Sequence, residues 1–208
     1  MDKTPSDHPI LPTRLSNLGT LLSDRYDRTG NLNMQDLEDH DANKHAQAAV
    51  DNTPSNHPNL PDLLSNLGNR LSDRYNRTSN MQDLEDAIKH TQAAVDNTPS
   101  NDPDLPDLLS SLGRQLTERY NRTGSMQDLE DAIKHTQAAV NNTPSDHQNS
   151  PRLLSNLGLQ LSDRYDLTNN IQDLEHAIKH TQAAINNTPS DHPNLAFMLN
   201  NLRVLNIT

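Results

Sequence analysis

Between residues 60 and 75 the leucines fall at steps of three and four: Leu60, Leu63, Leu64, Leu67 and Leu71, closed by Tyr75. Polar residues fill the positions between them. That spacing puts every apolar side chain on one stripe of a helix, so it predicts an amphipathic helix, helix A. Pro61 suits the first helical turn, where its missing N–H costs nothing, and Asp62 complements the positive end of the helix dipole. A second stripe follows at Leu84, Ala87, Ile88, Ala94 and Val95. It predicts helix B, begun near Ser79 by a capping box with Gln82 and ended by Asn97-Thr98-Pro99, because the residue before Pro is pushed out of helical geometry.

The pattern then returns. Leu67-Gly68 recurs as Leu112-Gly113 and Leu157-Gly158, and Thr98-Pro99-Ser100 recurs as Thr143-Pro144-Ser145 and Thr188-Pro189-Ser190, a period of 45 residues in each case. A fixed period in this range is the mark of a solenoid. The sequence is therefore read as one all-α array over 1–208, an α-solenoid of antiparallel helix pairs. Its repeats run over about 10–59, 60–104, 105–149 and 150–194, with a terminal helix at 195–207.

The ends of the array are irregular. Residues 1–9 match the later inter-repeat turn, as if an upstream repeat had been cut. In repeat 1, Asp39-His40-Asp41-Ala42-Asn43-Lys44 stands where a later copy has Asp86-Ala87-Ile88-Lys89. The buried Ile is missing, and a frayed or kinked helix is expected around 28–45. In the closing segment Leu195, Met198, Leu199 and Leu202 take core positions of helix A, but Arg203 replaces the Gly that elsewhere lets helix B approach closely. This segment reads as a capping helix or as a truncated repeat with a bare outer face.

Composition changes this picture little. Apolar residues make up 31% and aromatics 2%, which suits many small ridges of Leu and Ala between neighbouring helices rather than one large core. The formal charge of −11, with no Lys/Arg cluster, argues against nucleic acid and favours basic or neutral partners. No cysteine, leader-like start or long apolar run is present, so a cytoplasmic protein with no membrane partner is expected.

Leu64, Leu67-Gly68 and Leu71, then Ala87, Thr91, Ala94 and Pro99, make each unit resemble a tetratricopeptide repeat (TPR). The step from Gly68 to Ala87 is longer than in the standard unit of about 34 residues. Enlarged units of this kind resemble those of kinesin light chains and, more closely, fungal arrays that accompany CHAT protease-like or NB-ARC nucleotide-binding domains. The resemblance implies a right-handed superhelix, with helix A lining its concave groove. Polar positions there are Asn17, Asn66, Asn69, Asp73, Arg114, Glu118, Asn156, Gln160, Asp163 and Asn201. A carboxamide donates to a backbone C=O while accepting from a backbone N–H, so an Asn ladder suits an extended peptide. Position 69 becomes Arg114 and Leu159, and position 70 becomes Gln115 and Gln160, variation on one face that fits partner choice or drift. The acids Asp24, Asp73, Glu118 and Asp163 favour a basic peptide, each followed by an Arg (Arg25, Arg74, Arg119, Arg164) placed to neutralise it.

Other chemistry is not expected. His176 and His180 have the i, i+4 spacing of two metal ligands, but no third ligand or HExxH string accompanies them, so no metal is assigned. Neither a Gly-rich phosphate loop nor a nucleophile motif occurs, and no cofactor or catalytic residue is assigned. Two functions remain. The first is a non-catalytic scaffold for an extended peptide or partner protein; the alternative is a regulatory or sensor remnant of a larger CHAT or NB-ARC type protein, acting by self-association.

Overall fold

The computed structural model describes the backbone of residues 32–205 and the side chains of 41–205. Among these residues the fold is all-α, a solenoid of helix pairs without strands. In order the helices are α1 (Leu32–Asp51), α2 (Leu60–Thr78), α3 (Met81–Asn97), α4 (Leu105–Thr123), α5 (Met126–Asn142), α6 (Ser150–Thr168), α7 (Ile171–Asn186) and α8 (Leu195–Leu205). The chain divides into two compact units, Met1–Thr98 and Pro99–Thr208.

In the first unit α2 and α3 form the A and B helices of one repeat, and α1 packs on α2. All six residues of the Leu60–Tyr75 stripe are buried, as are Leu84, Ala87, Ile88 and Ala94 of α3. Val95 is only half-buried. In the second unit α4 pairs with α5 and α6 with α7; α6 also packs on α5, and α8 on α7. Ile133 of α5 lies in a cluster with Leu157 and Leu161 of α6 and Leu174 and Ala177 of α7.

Each A helix closes at a residue in the left-handed region: Ser79 (φ 56°), Gly124 (φ 69°) and Asn169 (φ 52°). This corrects the capping box expected at Ser79. A residue in that conformation ends a helix, and the N–H of Ser79 donates to the Tyr75 carbonyl at 2.7 Å. The true N-cap is one residue later: Asn80 Oδ1 accepts from the Gln82 N–H at 3.0 Å, and Ser125 does the same for Asp128 at 3.3 Å. Two residues thus suffice to reverse the chain.

The expected irregularity of repeat 1 is also corrected. α1 runs from Leu32 to Asp51 as one helix, because His40 and Asp41 add to its length without supplying a breaker. Residues 28–31 of that stretch lie outside the described residues.

The glycine of helix A has the packing role expected of it. A Cβ on Gly68 would strike the Thr91 hydroxyl of α3 and come within 3.2 Å of the Ala87 carbonyl; Gly113 and Gly158 face Thr136 and Thr181 in the same way. Pairs of this closeness cannot form over Arg203. On α8 Met198 and Leu205 are buried, but Leu199, expected in the core, is 48% exposed, and Phe197 and Val204 are 55% and 57% exposed.

Candidate functional site

The site is built from the charged and amide residues of the A helices, and Arg fixes what those residues can do. Nine residues separate Arg74 from Asp83, Arg119 from Asp128 and Arg164 from Asp173, so the turn brings each pair face to face. The Arg119 Nε donates to Asp128 Oδ2 at 2.8 Å and Nη2 to Oδ1 at 2.6 Å. Arg164 holds Asp173 at the same distances. Arg74 donates Nε to Asp83 Oδ2 at 2.7 Å, with Nη2 on Oδ1. A bidentate guanidinium–carboxylate pair fixes orientation as well as charge. The carboxylates are buried and the guanidiniums about a quarter to a third exposed. The Asp173 hydrogen bond raises the Arg164 pKa above its usual value, against a smaller opposing effect of burial.

This overturns the expectation that each Arg neutralises the acid before it. Asp73 of α2, Glu118 of α4 and Asp163 of α6 make no hydrogen bond or ion pair among the described residues. Asp163 is half-buried; its carboxyl pKa is pushed up, first by burial and then by the nearby Asp166. The Tyr120 hydroxyl of α4 feels the same negative field, its pKa raised by burial and by Asp163 and Asp166.

The amides divide between surface and interior. In the first unit Asn66 is exposed and Asn69 half-buried, both on α2 with the exposed Asp73. In the second unit Arg114 and Glu118 lie on α4, Asn156 and Asp163 on α6, and Asn201 on α8, all half-buried; α4 touches α6, and α6 touches α8. Gln160 does not join them. It is 2% exposed, and its Nε2 donates to Thr117 Oγ1 of α4 at 2.9 Å, which ties two A helices together. Gln115 is fully buried too, so the variable position 70/115/160 is an interior one in the second unit. The Nδ2 of Asn201 is buried without a partner. Asn17, Asp24 and Arg25 lie outside the described residues.

Sequence reasoning missed Asp83, Asp128 and Asp173. The available signal was an acid nine residues after each Arg in every regular copy, just inside helix B. His176 is exposed and His180 half-buried; burial, then His176, lowers the His180 pKa. Among the described residues no three His, Cys, Asp or Glu side chains gather as a metal site, and no helix is long and apolar enough to cross a membrane.

With the geometry in place, comparison with known proteins becomes informative. Residues 62–104 match the family model described as Tetratricopeptide repeat. The matched stretch holds Gly68, Thr91 and the Arg74–Asp83 pair, all of which recur in the copies that follow. The crystal structure of BtubC (BKLC) from P. vanneervenii is similar in fold, with a TM-score of 0.61 at 15% identity over 93% of this chain and 74% of that one. The DHF58 filament is similar with a TM-score of 0.50 at 13% identity, covering 94% and 96%. No curated protein matches the sequence.

Proposed function

We propose that this chain is a non-catalytic scaffold that holds an extended, basic peptide or partner segment on the polar positions of its A helices. TPR repeats in general mediate protein–protein interaction. The observation that carries the reading here is the diversion of Arg74, Arg119 and Arg164 to the B helices. It leaves Asp73, Glu118 and Asp163 without an ion pair among the described residues, and a ligand Lys or Arg supplies one. Asn66 and Asn69 in the first unit, and Asn156 in the second, supply amides for the ligand backbone.

The test is fluorescence anisotropy with labelled Lys/Arg-rich and Glu-rich peptides. Binding of the basic peptide that weakens with salt, and weakens further in an Asn66→Ala, Asn156→Ala double variant, supports the reading. Equal binding of both peptides, or full affinity in the double variant, sinks it.

One observation favours the second reading, self-association as a regulatory module: Phe197 and Val204, seven residues apart on one face of α8, are both exposed. Light scattering on the purified chain, with Phe197→Ser as control, decides it. A dimer that the substitution dissolves supports self-association, and a monomer at high concentration removes it.

A further inference from the structure

In the second unit the turns that join one repeat to the next enclose two clefts, one repeat apart. The first, of about 330 Å³, lies between the turn before α4 and the turn before α6. The second, of about 560 Å³, lies between the turn before α6 and the turn before α8. One turn position decides what each cleft offers. Asp102, three residues before α4, caps its turn: Oδ1 accepts from the Asp104 N–H at 2.9 Å. His147 and His192 do the same before α6 and α8, each Nδ1 accepting from the N–H two residues on, that of Asn149 at 3.2 Å and that of Asn194 at 3.1 Å. A carboxylate only accepts, whereas a neutral imidazole that accepts at Nδ1 carries its proton on Nε2. Both Nε2–H groups are without a partner among the described residues.

The helix starts change sign as well. Asp107 lines the first cleft, and Arg152 takes the corresponding place in the second. Arg152 is loosely held: Nη1 donates to Ser110 Oγ at 3.3 Å, Nη2 lies 3.9 Å from Asp107, and the side chain is 49% exposed. Asn149 makes no side-chain capping bond to α6, so the first turn of that helix adds its dipole and backbone N–H groups on the same side. The second cleft has one carboxylate, Asp146, in a wall that holds His147, His192 and Arg152. The first has Asp102 and Asp107 with His147 alone. One repeat thus converts an acceptor-lined cleft into a donor-lined one.

We propose that the second cleft binds a phosphoryl group, through the Arg152 guanidinium and the Nε2–H groups of His147 and His192. Donors carried by three side chains, on two turns and a helix start, suit a tetrahedral oxyanion better than a flat carboxylate. The site lies wholly within the second unit and does not depend on the peptide-binding role of the A helices. The same chemistry is carried by free inorganic phosphate and by a phosphoserine of a partner protein.

The experiment is a titration of the full chain at constant pH, followed in ¹H–¹⁵N spectra of the histidine rings. Its probes are inorganic phosphate and a short peptide with either phosphoserine or serine at one position. Saturable shifts of His147 and His192 are expected with phosphate and the phosphoserine peptide, with a midpoint of about 1 mM or below, and none with the serine peptide. Arg152→Asp gives the second cleft the residue of the first and should abolish the shifts. His192→Asp keeps the turn cap as Asp102 does but offers no donor, and should weaken binding at least about tenfold, read at His147. Tighter binding of the phosphoserine peptide than of inorganic phosphate assigns the site to a partner protein, and equal or weaker binding to a free anion. No saturable shift, equal shifts with the serine peptide, or unchanged binding in both variants overturns the proposal.

Discussion

Arg119 on α4 and Asp128 on α5 meet across a two-residue turn through two parallel hydrogen bonds of 2.8 and 2.6 Å. The aspartate sits in the first turn of its helix, where the helix dipole already favours an anion. One pair therefore fixes the angle between two helices, satisfies a buried charge and turns an arginine of helix A toward helix B. Repetition at Arg74–Asp83 and Arg164–Asp173 makes it a property of the repeat rather than of one site.

Removing the acid leaves the guanidinium facing a hole. Asp128→Ala should cost ~2–3 kcal/mol, at the lower end for a broken buried pair because Arg119 keeps some access to water. Arg119→Lys should cost roughly half as much, since an ammonium keeps the charge but not the two-point geometry. Urea titration of the full chain reads both, and equal costs would contradict the bidentate account.

Gly113→Ala tests the close approach of α4 and α5. Greater helix propensity alone predicts a gain, but the new methyl meets the Thr136 hydroxyl, so a net loss of ~1–3 kcal/mol is expected. Thr136 Oγ1 is buried without a partner. Thr136→Ala should accordingly recover most of that loss in the double variant, and a double-mutant cycle measures the coupling.

Acid should weaken the fold through His90 and His180. Their folded pKa values lie below the ordinary 6.5, mainly through burial, so the unfolded chain takes up protons first. The stability they contribute is full above 6.5 and is lost as pH falls from there through the folded-state values. Tm should drop between pH 7.5 and 5.5, and by less in His90→Gln, His180→Gln. Protonation of all 10 histidines would also cancel nearly the whole net charge of −11, so sedimentation should show self-association over the same range.

Asp163 carries the opposite sign. Its folded pKa is raised from 3.8 by burial and Asp166, so its contribution is most favourable below 3.8 and is lost as pH rises through the folded value. At neutral pH the charge opposes folding. Asp163→Asn should raise stability by about 0.5 kcal/mol while weakening the basic peptide, a trade between stability and binding that paired melting and anisotropy experiments reveal.

Core and face should separate cleanly. Leu112 is fully buried, and Leu112→Ala should cost ~2–5 kcal/mol; the exposed Asn66→Ala should change stability by no more than ~0.5 kcal/mol. Chemical denaturation of the two variants checks the division.

The sequence by itself determined the fold class, the helix stripes and the role of the glycine. Periodicity places Leu63, Leu67 and Leu71 on one side of a helix whatever lies opposite, and a 45-residue repeat of such stripes can be buried only by stacking neighbours. It did not determine which charges meet. Arg119 could be assigned to Glu118 by adjacency in the chain, but successive residues on a helix point about 100° apart, and only the packed turn shows Asp128 in reach. Gln160 reads as a surface amide for the same reason, until α4 is laid beside α6 and the Thr117 hydroxyl accepts its hydrogen bond.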